Sequence, residues 1–100
     1  MAEWKTVARL DELPQQGGHG VRVEGEEIAL FRVGDEVFAL ENFCPHQGFP
    51  LTDGWLDGKT LTCPWHGWRF HVESGHCFLG GGDARRYEVR VVDDVVQVCL

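Results

Sequence analysis

Residues 44–66 read CPHQGFPLTDGWLDGKTLTCPWH and contain two short clips of metal-ligating side chains. The first clip is Cys44–His46 and the second is Cys63–His66, with sixteen residues between them. Each clip offers one thiolate and one imidazole. Side chains two positions apart in an extended loop point the same way, so one loop can present both of its ligands to one site. The stretch therefore predicts a metal centre held between two loops.

The equal division into Cys and His favours a particular kind of centre. In a [2Fe-2S] cluster with mixed ligation, two Cys bind one iron and two His bind the other. We therefore expect Cys44, His46, Cys63 and His66 to hold one [2Fe-2S] cluster, and we assign no catalytic residue. A proline follows each ligand Cys, and because proline fixes φ it stiffens both loops before metal binds.

Two other interpretations of these residues stay open. Structural zinc uses the same side chains, but its usual clips pair like ligands, as Cys-x(2–4)-Cys or His-x(3–5)-His. The second is a disulfide between Cys44 and Cys63 with two incidental histidines. Four Cys in 100 residues without a signal peptide indicate a reducing compartment, where that bond is rare. Cys77 and Cys99 lie outside both clips and are expected to be small buried apolar residues or free thiols.

The composition is typical of one small folded domain. Of the 100 residues, 43% are hydrophobic and 25% are charged, which excludes disordered and membrane-embedded chains. No apolar run approaches the roughly 20 residues that span a bilayer, so we expect a cytoplasmic protein without a membrane partner. Nine basic against 16 acidic residues give a net charge of −7. This charge argues against nucleic acid and favours a protein partner with a basic patch, unless the acidic surface serves only to keep the protein in solution.

Patterns typical of strands account for most of the chain. Gly34-Asp35 separates two such runs and predicts a hairpin, as does Asp93-Asp94. The expected strands are 21–24, 28–33, 36–40, 61–62, 68–72, 87–92 and 95–100, with at most one helical turn at 11–15. Trp4 and Phe31 are candidate core residues. We expect one all-β domain, 1–100, with a base made from 1–42 and 84–100 and a metal-binding subdomain, 43–83, inserted between them.

The run from Cys44 to Gly75 resembles the cluster-binding segment of Rieske-type ferredoxins, through Cys-Pro-His-x-Gly-x-Pro-Leu and Cys-Pro-Trp-His-Gly-Trp-Arg-Phe. Weaker similarity extends to the flanks at 4–14, 36–42 and 87–91, so the resemblance covers nearly the whole chain. It implies an antiparallel β-sandwich or barrel base with an inserted cluster-binding subdomain.

Within that family the chain looks most like the ferredoxin component of bacterial aromatic-ring-hydroxylating dioxygenase systems. The resemblance implies a one-electron carrier that is not itself an enzyme. It would take electrons from a flavoprotein NAD(P)H reductase and pass them to a terminal oxygenase, docking briefly around His46 and His66. An apolar collar is expected there, which either meets partners or shields the cluster: Phe49, Pro50, Leu51, Trp65 and Trp68. The alternative is the Rieske-like small subunit of a nitrite reductase complex.

The residues near the ligands predict a low reduction potential. High-potential relatives carry an extra Cys in each loop, joined as a disulfide, and place Ser and Tyr hydroxyls near sulfur. This chain has no such Cys, and Trp68 and Phe70 cannot donate an O–H. We therefore expect a potential near the roughly −150 mV end of the Rieske range. Gly80–Gly82 replaces a proline-containing covering loop of many relatives and is expected to leave the cluster more exposed.

Overall fold

The computed structural model describes residues 3–43, 50–63, 67–79 and 82–100. These residues form ten β-strands and two 3₁₀ turns, at Leu10–Glu12 and Leu51–Asp53. The strands are β1 (Trp4–Arg9), β2 (Gly17–Val23), β3 (Glu26–Val33), β4 (Glu36–Glu41), β5 (Trp55–Asp57), β6 (Thr60–Thr62), β7 (Arg69–His71), β8 (Cys77–Leu79), β9 (Arg86–Val92) and β10 (Val95–Cys99). The expected all-β class is confirmed.

Six strands form one antiparallel sheet, in the order β1-β10-β9-β4-β3-β2. The turn between β3 and β4 contains Gly34 at φ +63°, and the turn between β9 and β10 places Asp93 and Asp94 at φ 52° and 62°. Aspartate tolerates this left-handed region better than most residues, because its short side chain can hydrogen-bond locally. Both predicted hairpins are confirmed. The sheet curls so that its two outermost strands, β1 and β2, come into contact, as in a partly closed barrel.

Strand β3 is buried on both faces and separates two hydrophobic cores. Ile28 and Leu30 point into the core of the six-stranded sheet, whereas Ala29 and Phe31 point to the opposite side. A continuous apolar run is typical of a strand covered on both faces. The first core also contains Ala8, Leu13, Val37, Ala39, Tyr87, Val96 and Val98. The expected core position of Phe31 is confirmed, since only 1% of its surface is exposed.

The other four strands form a smaller antiparallel sheet, in the order β5-β6-β7-β8. Its inner face packs on Ala29, Phe31 and Leu40, so the second core is shared between the two sheets. The inner residues are Leu56, Leu61, Phe70 and Cys77. Strands β5 and β8 have three residues each, and the sequence patterns did not predict them.

The chain leaves the six-stranded sheet and returns to it at neighbouring positions. The Glu41 amide donates to the carbonyl oxygen of Arg85 at 2.8 Å, and the Arg85 amide donates to the Glu41 carboxylate at 3.1 Å. The segment between these residues carries the smaller sheet. The larger sheet therefore positions both ends of the segment that contains the two clips.

One expectation is wrong, and another is confirmed with shifted bounds. Trp4 is 37% exposed, and the guanidinium of Arg90 lies 4.2 Å from its ring centroid. Its ring is therefore covered by a cation on the surface of β1. The short helical turn spans Leu10–Glu12, earlier than the expected 11–15. Among the described residues, no helix has the length and apolarity needed to cross a membrane.

Candidate metal centre

Cys63 is the predicted ligand that the structure describes, and it lies at the end of β6. Its side chain is 1% exposed, within the core shared by the two sheets. The Cys63 amide donates to the carbonyl oxygen of Trp68 at 2.7 Å, which extends the pairing of β6 with β7 by one step. Gly67, at φ +69°, lies within this loop and adopts a conformation that favours glycine. Cys63 thus lies where β6 ends, in the hairpin that pairs β6 with β7.

Asn42 joins the described segments on either side of residues 44–49, which contain the first clip. The Asn42 amide donates to the carbonyl oxygen of Glu27 at 2.9 Å, and the Asn42 side-chain oxygen accepts from the Thr52 amide at 3.1 Å. Thr52 belongs to the 3₁₀ turn that follows the clip. This role of Asn42 was not predicted from the sequence. The available signal was an asparagine directly after a strand, a position where its side chain often bonds to loop backbone.

The end of the first loop packs directly against the strand that carries Cys63. Gly54 follows the 3₁₀ turn, and a β-carbon there would lie 2.6 Å from the carbonyl oxygen of Thr62. Leu51, in the same turn, is fully buried and shares the second core with Leu61 and Cys63. The base of the first loop is therefore adjacent to the base of the second.

Three predicted ligands, Cys44, His46 and His66, lie outside the described residues, so their assignment stays a prediction. Residues 44–49 and 64–66 are among the positions that are not described. Within 3–43, 50–63, 67–79 and 82–100, no group of three or more His, Cys, Asp or Glu is arranged to hold a metal ion. The described residues thus offer no competing centre.

The surroundings of Cys63 fit a metal-bound thiolate. Burying a thiolate among apolar side chains is costly unless a metal or another cation neutralises its charge. Cys63 is buried among Leu51, Leu61 and Phe70, and the clips add a second thiolate and two imidazoles to the donor set. Thiolate and imidazole are the ligands of a mixed-ligand iron-sulfur cluster. The donor set therefore fits the expected [2Fe-2S] group, whereas burial in the second core is shared by Cys77, which is not a predicted ligand.

The expected collar is only partly exposed. Leu51 is completely buried, and Trp68 is half-buried with its ring centroid 6.5 Å from that of Phe70. Leu51 is therefore not available to a partner. Of the two roles expected for the collar, Leu51 can have only that of shielding. Pro50 is exposed. The other two collar residues, Phe49 and Trp65, lie outside the described residues.

Asp83 organises the segment beyond β8, which the sequence analysis missed. Its carboxylate oxygen accepts from the Cys77 amide at 2.8 Å and lies 3.1 Å from Nδ1 of His76. Cys77 is buried in the second core, and it forms no disulfide with a described cysteine. The expectation of an uncovered cluster at Gly80–Gly82 concerns two glycines, Gly80 and Gly81, that lie outside the described residues.

Comparison with known proteins gives a consistent family. A sequence model of the Rieske [2Fe-2S] domain matches residues 3–92. The chain is 38% identical over 90 residues to the ferredoxin component of the naphthalene 1,2-dioxygenase/salicylate 5-hydroxylase systems of a Ralstonia species, with 88% of this chain and 86% of that protein covered.

Two solved structures show how widely the fold is shared. One belongs to a complex of reduced oxygenase and oxidized ferredoxin in carbazole 1,9a-dioxygenase, with a TM-score of 0.86, 32% identity and coverage of 95% of this chain and 91% of that one. The other is assigned as an NADH-dependent nitrite reductase small subunit from Mycobacterium tuberculosis, with a TM-score of 0.90, 27% identity and coverage of 100% and 96%.

Proposed function

The chain belongs to the Rieske [2Fe-2S] domain family, and on this basis we propose that it carries single electrons to the terminal oxygenase of a multicomponent aromatic-ring dioxygenase. The observation that carries the proposal is the 38% identity to a ferredoxin component over 88% of the chain. A second support is the fold likeness, at 32% identity, to a structure of an oxygenase–ferredoxin complex. We assign electron transfer and not catalysis, because that relative is named as the ferredoxin component of its system.

Four residues are proposed to hold the cluster: Cys44 and Cys63 on one iron, and His46 and His66 on the other. The buried position of Cys63 and the adjacency of the two loop bases support this assignment. When bound, the cluster accepts and releases one electron at a time. The chain contributes a buried apolar surface, through Leu51, Leu61 and Phe70, which excludes water from the thiolate side.

The potential is proposed to lie near the roughly −150 mV end of the Rieske range. The support is the absence of an O–H donor at two positions that follow the second clip. Phe70 is fully buried and Trp68 is half-buried, and neither side chain can donate an O–H to sulfur. Fewer hydroxyl donors near sulfur stabilise the reduced, more negative cluster less, which lowers the potential.

The electron donor is proposed to be a flavoprotein that takes electrons from NAD(P)H. Its contact surface and that of the oxygenase are proposed to centre on His46 and His66. The net charge of −7 favours partners with basic docking surfaces over nucleic acid.

We also propose the division into a base, residues 1–42 and 84–100, and a cluster-binding subdomain, residues 43–83. The larger sheet uses strands from Trp4–Arg9 to Glu36–Glu41 and from Arg86–Val92 onward, whereas the smaller sheet uses Trp55–Asp57 to Cys77–Leu79. This separation supports the proposed boundaries. Limited proteolysis that cuts within 43–83 and leaves the two base segments associated is the expected result.

The small subunit of a nitrite reductase is the second candidate, because the fold matches one such subunit with a TM-score of 0.90. The identity to that subunit is 27%, against 38% for the dioxygenase ferredoxin. A permanent subunit copurifies with a large catalytic partner, whereas a carrier purifies alone. Purification from the native host therefore separates the two functions.

The decisive test combines cofactor analysis with electron delivery. Anaerobically purified protein is expected to contain two irons and two acid-labile sulfides, and the dithionite-reduced sample to give the electron paramagnetic resonance signal of mixed Cys and His ligation. The protein is then mixed with the reductase and oxygenase components of a naphthalene dioxygenase system, and NADH-dependent reduction of the oxygenase is followed. Zinc without sulfide would exclude the electron carrier, and a signal typical of all-Cys ligation would exclude the ligand set.

A further inference from the structure

The smaller sheet has one face that no described residue covers. Along β5, β6, β7 and β8 the side chains alternate, so that one set enters the shared core and the other faces outward. The outward set comprises Trp55, Asp57, Thr60, Thr62, Arg69, His71 and Phe78. Large aromatic side chains on an open face are a feature of protein–protein contact surfaces.

Trp55 is the most exposed large hydrophobic side chain among the described residues. Its exposed fraction is 65%, compared with 46% for Phe43 and 43% for Phe78. Phe78 stacks on the ring of His71, with centroids 4.4 Å apart, whereas Trp55 makes no ring contact with a described residue. Tryptophan that is open to solvent and later buried by a partner is among the strongest contributors to binding.

The position of Trp55 in the sheet places it beside the candidate metal centre. Trp55 pairs with Thr62, the residue that directly precedes Cys63. Paired residues on neighbouring strands lie about 5 Å apart and consecutive Cα atoms about 4 Å apart. A partner that covers Trp55 is therefore brought close to the backbone of Cys63, as electron transfer requires.

The charges around Trp55 indicate which kind of partner fits. Asp53 and Asp57 lie on either side of it in sequence and are exposed, and neither forms an ion pair with a described residue. The nearby cation of Lys59 is directed away, since it pairs with Glu36 and Glu73, each at 3.5 Å. Arg69 is exposed on the same face but two strands distant. The three residues Asp53, Trp55 and Asp57, here called the β5 surface, thus combine an exposed aromatic ring with two exposed carboxylates that form no ion pair with a described residue.

We propose that the β5 surface, in addition to the contact proposed around His46 and His66, docks a basic electron-transfer partner, whose Lys or Arg side chains pair with Asp53 and Asp57 and cover the ring of Trp55. Cations bind favourably over the face of tryptophan, and carboxylates opposite basic residues speed association and fix orientation. The inference rests on the proposed function as an electron carrier. Addition of a partner strand to β5 is disfavoured, because the Gly58 amide next to the strand already donates to Gln16 at 2.8 Å.

The test measures electron transfer, by stopped flow, to a basic c-type cytochrome from protein that has been reduced with dithionite and then separated from the excess dithionite. One electron leaves the reduced cluster and converts ferric haem to ferrous haem, so the reaction is balanced without a further reactant. The second-order rate constant is measured at low ionic strength and at about 0.5 M salt, where surface charges are largely screened. Spectra and midpoint potentials of all variants are recorded first, and the wild-type values are expected throughout.

Two variants and two matched controls separate this surface from general effects. Trp55→Ala is expected to lower the rate constant at both ionic strengths, by about threefold or more. The double variant Asp53→Asn/Asp57→Asn is expected to lower it about fivefold at low ionic strength only. Phe78→Ala removes an aromatic ring from the opposite edge of the same face, and Asp93→Asn/Asp94→Asn makes the same charge change in the turn between β9 and β10. Both controls are expected to stay within twofold of the wild type.

Each outcome decides the inference. Equal losses in the variants and their controls, or no loss in either variant, would overturn docking at the β5 surface while the electron carrier stands. A wild-type protein that holds a reduced cluster but transfers no electron would overturn the proposed function and the inference with it. Sedimentation that shows a dimer which Trp55→Ala disperses would assign the β5 surface to a second copy of the chain instead.

Discussion

Ala84 lies directly against Gly75, where the segment beyond the smaller sheet turns back to the larger one. The Ala84 amide donates to the carbonyl oxygen of Gly75 at 2.8 Å, and the Ala84 carbonyl oxygen occupies the space that a β-carbon on Gly75 would need. Leu40 of β4 closes the same position, at 3.2 Å from that point. Both residues are buried, so this contact joins β4, the turn after β7 and the return segment.

Replacement of Gly75 by Ala is therefore expected to lower the free energy of unfolding by about 3 kcal/mol, from backbone strain at φ +79° together with overpacking. The matched control is Gly25→Ala. Gly25 has φ +82° but open space around it, so only the strain remains, at about 1 kcal/mol. Urea unfolding followed by tryptophan fluorescence measures both changes. If the two variants lose similar amounts of unfolding free energy, the contact between Gly75 and Ala84 does not contribute to the effect of the Gly75 substitution.

Tyr87 is the single tyrosine of the chain, and its hydroxyl donates to the Glu26 carboxylate at 3.0 Å. Burial raises the pKa of Tyr87 above its ordinary value of about 10, and the bond to Glu26 raises the pKa further. We expect the tyrosinate difference absorbance at 295 nm to titrate above pH 10. Glu26→Gln is expected to lower the titration midpoint only in part, because burial is the larger cause. A wild-type midpoint at or below 10 would contradict this environment.

The same shift predicts how stability depends on pH. A raised folded-state pKa means that the contribution of Tyr87 is fully present below about pH 10 and is lost as the pH rises through the folded-state value. Tyr87→Phe is expected to lower the free energy of unfolding by about 1 kcal/mol at pH 8. The variant is also expected to lack the decrease in stability above pH 10 that ionisation of Tyr87 causes. Urea unfolding of the wild type and the variant, at pH 8 and again above pH 10, measures these changes in stability. If the variant loses as much stability above pH 10 as the wild type does, groups other than Tyr87 cause that loss.

Asp83 is expected to protect the backbone of Cys77. Because the carboxylate accepts the Cys77 amide at 2.8 Å, Asp83→Ala removes an acceptor worth about 1 kcal/mol, equivalent to roughly fivefold faster amide exchange at Cys77. Asp83→Asn keeps an acceptor oxygen and serves as the control, with exchange near the wild-type rate. Hydrogen exchange followed by mass spectrometry or NMR reports the amide. If the Cys77 amide exchanges at the same rate in both variants, the hydrogen bond from Cys77 to Asp83 does not protect that amide.

Substitutions at the cysteines and histidines separate ligands from core residues. His66→Ala and Cys63→Ser are expected to lose the cluster or change its spectrum, whereas Cys77→Ser is expected to keep two irons and the original signal. Cys77→Ser still costs about 1–2 kcal/mol, since it places a hydroxyl in the second core. Iron and sulfide content with paramagnetic resonance measure the first effect, and urea unfolding the second. An unchanged signal in the His66 variant would overturn the ligand assignment.

The long strands and their hairpins were predictable because they depend on local patterns. Gly34 and Asp93-Asp94 mark turns that the adjoining strands must make, and the apolar run in β3 requires cover on both faces. All four strands of the smaller sheet have three residues each; β7 lies in the alternating run 68–72, whereas β5 and β8 lie in no run with a recognisable period. They are strands because β6 and β7 offer them hydrogen-bond partners, and the sequence of the segments carries no such signal.

The sequence by itself predicted the donor set of the proposed cluster and determined the class of fold. Both follow from residue identity and short spacing, since two Cys/His clips suit mixed ligation of two irons and alternating runs suit strands. Only the tertiary structure decided that Leu51 is buried and Trp4 is not. It also decided that Asn42 and Asp83 hydrogen-bond to the backbone of other segments. Trp55 is exposed on β5, the strand that pairs with β6, which leads into Cys63. These facts depend on contacts between residues distant in sequence, whose free energy appears only when the sheets pack.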